Sequence, residues 1–226
     1  MARLTTRKYQ ALLISLFAVV TLFPLLEDCA EIRILLHLFF TLIFIASLVV
    51  VFTNHRLRLV GAILGIPTLI GLWVGYVLPG LPRVPLAVTF HLLAILFFSF
   101  TIAVVLHQVY RQPGVSAESI YGALCGYLLV GLAFSNLFNV LEILAPGSFQ
   151  GAAMTEGMPD ERRHFLLAYF SFITLTTVGY GDIVPGRDLA RGICALEAIM
   201  GQFYIAVLVA ELIGKRVGQA VERAEN

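Results

Sequence analysis

Charge is what this sequence has least of. Asp, Glu, Lys and Arg make up 13% of its 226 residues, about half the roughly 25% of an average soluble domain. So few charges cannot coat the surface of a water-soluble domain of this size. The 15 basic and 14 acidic residues nearly cancel, leaving a formal charge of +1 spread over several loops, so no nucleic-acid partner is expected. Cysteine is equally scarce. Cys29, Cys125 and Cys194 have neither metal-ligand spacing nor a paired framework, and two of them fall within apolar helical stretches as packing residues. The aqueous segments lack a nucleophile with an acid and base, a phosphate-binding loop and a metal-ligand cluster, so the chain is not read as an enzyme and no cofactor is expected.

Apolar residues are present in excess. They account for 59% of the chain, with a mean hydropathy of +0.92. The composition is that of an all-α membrane protein embedded in a lipid bilayer. A bilayer core about 30 Å thick needs roughly 20 mostly apolar residues per spanning helix. Six stretches qualify: residues 9–26, 34–52, 59–78, 86–110, 120–143 and 189–213. A seventh apolar patch, residues 164–175, is about half the necessary length and reads as a re-entrant pore helix. The run Arg111-Gln-Pro-Gly-Val-Ser-Ala-Glu-Ser119 breaks the helical pattern. It divides a four-helix transmembrane module, residues 1–115, from a helix, pore helix, loop and helix over residues 116–226.

Loop charges orient these spans. Arg3, Arg7, Lys8, Arg56, Arg58, Arg111, Lys215, Arg216 and Arg223 share one side, nine basic residues against six on the other. Both termini are therefore expected in the cytoplasm. Glu27, Asp28, Glu31, Glu142, Glu156, Asp160, Glu161, Asp182 and Asp188 fall on the opposite side. The first apolar run is read as a spanning helix rather than a secretory signal, because it ends in Pro-Leu-Leu-Glu-Asp without a small-residue cleavage pattern.

Between the pore helix and the sixth span lies Thr176-Thr177-Val178-Gly179-Tyr180-Gly181-Asp182. Its Thr-Val-Gly-Tyr-Gly core is the signature of a potassium selectivity filter, in which backbone carbonyls replace the ion's hydration shell. Gly179 and Gly181 suit it because glycine accepts the positive φ that turns consecutive carbonyls toward one axis. Four loops are needed to surround an ion and the chain carries one, so three further copies of itself, a homotetramer, are the expected partners.

The last hundred or so residues resemble the tetrameric pore-loop potassium channels, of the bacterial type. The resemblance implies ion sites formed by the carbonyls of Thr177, Val178, Gly179 and Tyr180 and the Thr177 hydroxyl, with K+ as the permeant ion. Thr176 and the negative end of the pore-helix dipole would lie just inside. Two aromatics brace the filter in that family. Here those positions are Tyr169, whose hydroxyl can bond Asp182, and Phe170, which can only pack against Tyr180. Ile173 stands where some members have a buried acid.

Gating candidates lie in the sixth span. Gly201, 24 residues beyond Thr177, is where the family's inner helix commonly bends, and it also suits close helix packing. Glu197, one turn earlier, must either face water in the cavity or bond a neighbour such as Thr174 or Gln202. Glu211 is spaced to pair with Lys215 or Arg216. Voltage-gated relatives carry regularly spaced arginines in their fourth helix, whereas between Arg83 and Arg111 this chain has no Lys or Arg. One charge is worth about 2.3 kcal/mol per 100 mV, so steep voltage gating is not expected. Gly61-x-x-x-Gly65 and Gly71-x-x-x-Gly75 allow close helix approach, and His37 and His91 read as packing or hydrogen-bonding residues.

The expected function is passive, potassium-selective conduction through a homotetramer in a bacterial plasma membrane, without strong voltage gating. The short segment after the sixth span leaves no room for a regulatory domain there. Alternatives are a non-conducting sensor or regulatory membrane subunit, or a subunit of a potassium uptake system. Glu156, Asp160 and Glu161 would make the outer mouth negative and enrich cations there.

Overall fold

A computed structural model of the chain describes residues 2–22, 32–51, 55–77, 83–112, 114–155 and 157–225. Among the described residues seven helices and two short strands follow in order: α1 (Ala2–Leu22), α2 (Ile32–Val51), α3 (His55–Val77), α4 (Arg83–Arg111), α5 (Ala117–Leu144), β1 (Phe149–Gly151), α6 (Asp160–Leu175), β2 (Ile183–Pro185) and α7 (Asp188–Glu225). Within the described residues each apolar stretch of the sequence forms one helix. The helices start before their apolar stretches, and two of the extensions bear on the site. α6 starts four residues early, because Pro159 precedes it and Asp160 and Glu161 occupy the first turn, where the helix dipole favours negative charge. α7 continues through its polar tail to Glu225.

Among the described residues four segments are long and apolar enough to cross a membrane: His55–Val74, Val84–Arg111, Ala117–Leu144 and Asp188–Gln219. They make this an integral membrane protein. α2 offers a shorter apolar stretch, His37–Val50. The apolar run of α1 begins after Arg3, Arg7 and Lys8 and continues in sequence to residue 26, outside the described residues, where Glu27, Asp28, Cys29, Glu31 and Glu156 also lie.

Two cores form. The first joins α1, α2, α4 and α5. Ala94, Phe97, Phe98, Val105 and Val109 are buried along α4 at spacings that keep them on one face of the helix. Phe98 stacks on Phe44 of α2 with ring centroids 5.1 Å apart. The α3 glycines explain its approach to α4: a side chain at Gly65 would meet the Phe97 ring, and one at Gly71 would touch Phe90. Gly61 is buried as well, while Gly75 is outside the described side chains. Of the two expected packing histidines, His91 bonds Asn136 of α5 through Nδ1 at 2.8 Å and stacks on His164 of α6, and His37 lies against Trp73.

The second core joins α5, α6, both strands and the start of α7. Phe138, Phe149 and Phe170 pack ring against ring at 4.9 to 5.5 Å. β1 and β2 pair antiparallel, with Phe149 opposite Pro185 and Gly151 opposite Ile183. The intervening chain, containing α6 and the glycine-rich loop, therefore leaves and returns at one point. Glu142 positions β1 by accepting the N–H groups of Gly147 and Phe149 at 2.8 and 2.9 Å. Cys125 is buried in the first core and Cys194 in the second.

α4 and α5 are separated by the expected break. Ser116 caps α5, its hydroxyl accepting the Ser119 N–H at 3.1 Å while the Ser119 hydroxyl accepts the Ser116 N–H. Packing nevertheless continues across the break, since α5 contributes to both cores. At the C-terminal end of α4, Lys215 of α7 donates to the carbonyls of Val109 and Tyr110 at 3.2 and 2.9 Å and pairs with Glu211 at 3.2 Å. Carbonyls in the last turn of a helix lack intrahelical partners, and an ammonium suits their end of the dipole. Lys215→Met should therefore lower unfolding stability in detergent by about 1 kcal/mol. Arg216→Met, which removes the adjacent charge without touching these carbonyls, should have a smaller effect in the same assay.

Candidate functional site

The site is built on the C-terminal end of α6. A helix leaves its last four carbonyls without internal partners, and here each finds one. The Phe172 carbonyl accepts the Thr176 N–H at 3.0 Å and its hydroxyl at 2.6 Å. Thr174 accepts the Thr177 N–H at 2.9 Å, and Leu175 accepts the Tyr127 hydroxyl of α5 at 3.1 Å. The Ile173 carbonyl takes two amides, Val178 at 3.0 Å and Gly179 at 3.3 Å.

This anchoring orients the loop. N–H and C=O across one planar trans peptide point in opposite directions. With the amides of Thr177, Val178 and Gly179 drawn toward α6, the carbonyls of Thr176, Thr177 and Val178 face away from it. The backbone alternates in step: φ is +59° at Thr177, +56° at Gly179 and +79° at Gly181, with Val178 and Tyr180 outside the positive-φ set. Alternation between nearly mirror-image conformations is what turns successive carbonyls to one side instead of opposite sides. Thr177 is the costly member, since a non-glycine left-handed residue is disfavoured by about 1–2 kcal/mol and a β-branched one is a true outlier. Among the described residues it is the one non-glycine with positive φ. Strain of this kind persists where the surroundings over-determine it, commonly at functional sites.

Support comes from several elements. The Tyr169 hydroxyl donates to Asp182 Oδ2 at 2.9 Å, as its position suggests. Phe170 departs from expectation. It is buried against Phe138 and Phe149 rather than on Tyr180, which is 71% exposed, because adjacent helical residues project about 100° apart and Tyr169 takes the side facing the loop. Val178 is also half exposed in the single chain. Gln202 approaches the loop from α7, its Nε2 lying 3.4 Å from the Thr177 hydroxyl.

Gly201 sits where α7 crosses α6. A side chain there would run into the Leu175 carbonyl, so the close approach requires glycine. Glu197 is fully buried behind α6 rather than facing open space. Its Oε1 lies 2.5 Å from the Ser171 hydroxyl, so its partner is neither Thr174 nor Gln202. Ser171 and Tyr127, which the sequence did not single out, also contact this site, Ser171 through Glu197 and the Gly131 carbonyl and Tyr127 through the Leu175 carbonyl. Ser171 carried a weak signal as a small hydroxyl on an apolar helix, whereas nothing local marked Tyr127. At the start of α6, Asp160 pairs with Arg163 at 2.8 Å, which offsets part of the expected negative mouth. Glu211 pairs with Lys215 as its spacing implies.

Known proteins resemble this half of the chain. Residues 124–216 match the family model described as "Ion channel", a transport rather than an enzyme family. "Two pore potassium channel a" of Oryza sativa subsp. japonica is 39% identical over 44 residues, 20% of this chain and 13% of that protein. "TWiK family of potassium channels protein 7" of Caenorhabditis elegans is 40% identical over 78 residues, 34% of this chain and 14% of that protein. The matched segments thus span about a seventh of the length of these curated relatives. No solved structure matches.

The crossing at Gly201 yields a controlled comparison. Gly201→Ala sets a methyl against backbone and should destabilise the fold by about 1–3 kcal/mol. Gly214→Ala, on the same helix with nothing within 4 Å, should be neutral or stabilising by up to about 1 kcal/mol. Denaturant unfolding of both variants in one detergent measures the difference.

Proposed function

We propose that this chain is one subunit of a homotetrameric potassium channel, each copy lending one strand of carbonyls to a shared selectivity filter. The observation that carries the reading is the anchored loop: amides of Thr177, Val178 and Gly179 held on α6, with their preceding carbonyls facing the other way. Carbonyls presented in a row, without a fixed countercharge, are what a dehydrated potassium ion needs. The resemblance of the segment to ion-channel domains, and to two proteins named as potassium channels, supports the same reading.

In this reading α5 and α7 cross the membrane and α6, 16 residues or about 24 Å long, enters and returns as a re-entrant pore helix. The pairing of Gly151 with Ile183, which brings the chain back to its starting point, supports that path. Four copies arrange the carbonyls of Thr177, Val178, Gly179 and Tyr180 around one axis. Leu196, Ile199, Met200 and Phe203 of α7, all exposed in a single chain, would meet neighbouring subunits, the cavity or lipid. Six spans place both termini in the cytoplasm and open the filter outward, in a bacterial plasma membrane. α4 carries no Lys or Arg between its end residues and buries an apolar face, so conduction is not steeply voltage-dependent. Gly201, held against α6 at rest, is the point at which α7 would flex.

Flux from liposomes containing the purified protein tests this. Potassium should move down its gradient and be blocked by barium, with little sodium flux. Gly179→Ala, which forces a side chain onto a φ of +56° at about 1–2 kcal/mol, should abolish selective flux while the tetramer persists on cross-linking. Equal potassium and sodium flux, or a monomer by cross-linking and mass, would overturn the proposal.

A further inference from the structure

Behind the filter, Ser171 is asked for more protons than it has. Its hydroxyl oxygen lies 2.7 Å from the Gly131 carbonyl of α5 and 2.5 Å from Glu197 Oε1 of α7. A serine hydroxyl has one proton, and a backbone carbonyl can only accept. If Glu197 were a carboxylate, one of these two short contacts would be oxygen against oxygen with no hydrogen between. The surroundings oppose a carboxylate as well. Glu197 and Ser171 are both 0% exposed. Among the described residues the titratable groups facing Glu197 are Tyr127 of α5 and Cys194 of its own helix, and neither is cationic. Glu197 Oε2 is buried without a partner. An uncompensated buried charge is far costlier than a buried neutral carbonyl oxygen.

We infer that Glu197 is held as a neutral carboxylic acid and is the head of a hydrogen-bonded relay joining three helices. Its O–H donates to Ser171 Oγ, and the Ser171 O–H donates to the Gly131 carbonyl. Every proton in the chain then has one donor and one acceptor. The relay runs from α7 through α6 to α5, and it grips α6 two residues before Ile173, whose carbonyl anchors the filter. Glu197 is therefore a positioning residue. It ties the inner helix to the back of the pore helix, an arrangement in which the acid comes from α7 while the pore helix itself carries Ile173. This inference rests on the channel reading for its consequence, though not for its chemistry.

Infrared spectroscopy separates the two. At mildly alkaline pH, exposed carboxyls are ionised, so a carboxylic C=O stretch that persists above the amide bands reports a buried neutral acid. The full-length protein in liposomes should show that band, Glu197→Gln should lose it, and Ser171→Ala should shift it by removing its hydrogen-bond acceptor. Glutamine keeps an N–H donor for Ser171, so Glu197→Gln should rescue the selective flux that Glu197→Ala loses. Absence of the band in the parent protein, or a band unchanged by both Glu197→Gln and Ser171→Ala, would overturn the relay. Should Glu197→Gln fail to assemble, the Ser171→Ala shift decides alone. Absence of flux from the parent protein with the band intact would count against the channel reading and leave the relay standing.

Discussion

One oxygen atom organises the loop that follows α6. The carbonyl of Ile173 accepts two amides, those of Val178 and Gly179. By drawing both toward the end of α6 it commits the peptide planes of the loop to one orientation. The neighbouring carbonyls of Phe172, Thr174 and Leu175 are also satisfied, by Thr176, Thr177 and Tyr127. Helix termination and loop presentation are thus one event: three of the four carbonyls that any α-helix leaves unpaired are what hold the loop in its alternating backbone, and the fourth, that of Leu175, is held by α5. The left-handed Thr177 is the local cost of that arrangement.

α5 makes the arrangement rigid by serving every neighbour at once. Three of its glycines admit three different sets of partners: Gly122 faces Val109 of α4 and Tyr9 of α1, Gly126 faces Tyr204 of α7, and Gly131 faces Phe172 of α6. Polar contacts follow the same helix. Tyr204 donates to the Ala123 carbonyl at 2.7 Å, Tyr127 reaches Leu175, and Asn136 meets His91. α1, α2 and α4 are consequently packed directly on the C-terminal half of the chain. They touch it again at the far end of α7, where Lys215 closes the last turn of α4. A displacement of α4 would therefore be felt by α7 at that lysine.

Several buried polar groups around α6 are joined to one another. Ser171 links α6 to α5 and to Glu197, and the more exposed contacts of Tyr169 with Asp182 and of Gln202 with Thr177 extend the same pattern to the loop. In a low-dielectric interior such bonds are directional constraints that apolar packing alone does not supply. They also explain why Phe170 can be spent on the core. Its neighbour Tyr169 already makes the polar contact to the filter segment, so the next residue, turned about 100° around the helix, is free to fill the space between Phe138 and Phe149.

Features legible in the residues alone are those that depend on neighbours along the chain. Hydropathy over windows of roughly 20 residues located the apolar helices, and the half-length patch located α6. The spacing of Tyr169, Asp182, Gly179 and Gly181 foretold a tyrosine bond and two positive-φ glycines that the fold contains. Which side of each helix meets which neighbour became definite only when the helices packed. Glu197 could have faced water or a bonding partner, and the crossing of α6 and α7 sent it to Ser171. Phe170 turned to the α5 core, β1 and β2 paired across the whole of α6 and the filter loop, and Lys215 found the end of α4. A single helical register leaves these outcomes open, because rotation by one residue moves a side chain about 100° at no cost to the local hydrogen bonds. Only packing against other helices distinguishes the faces.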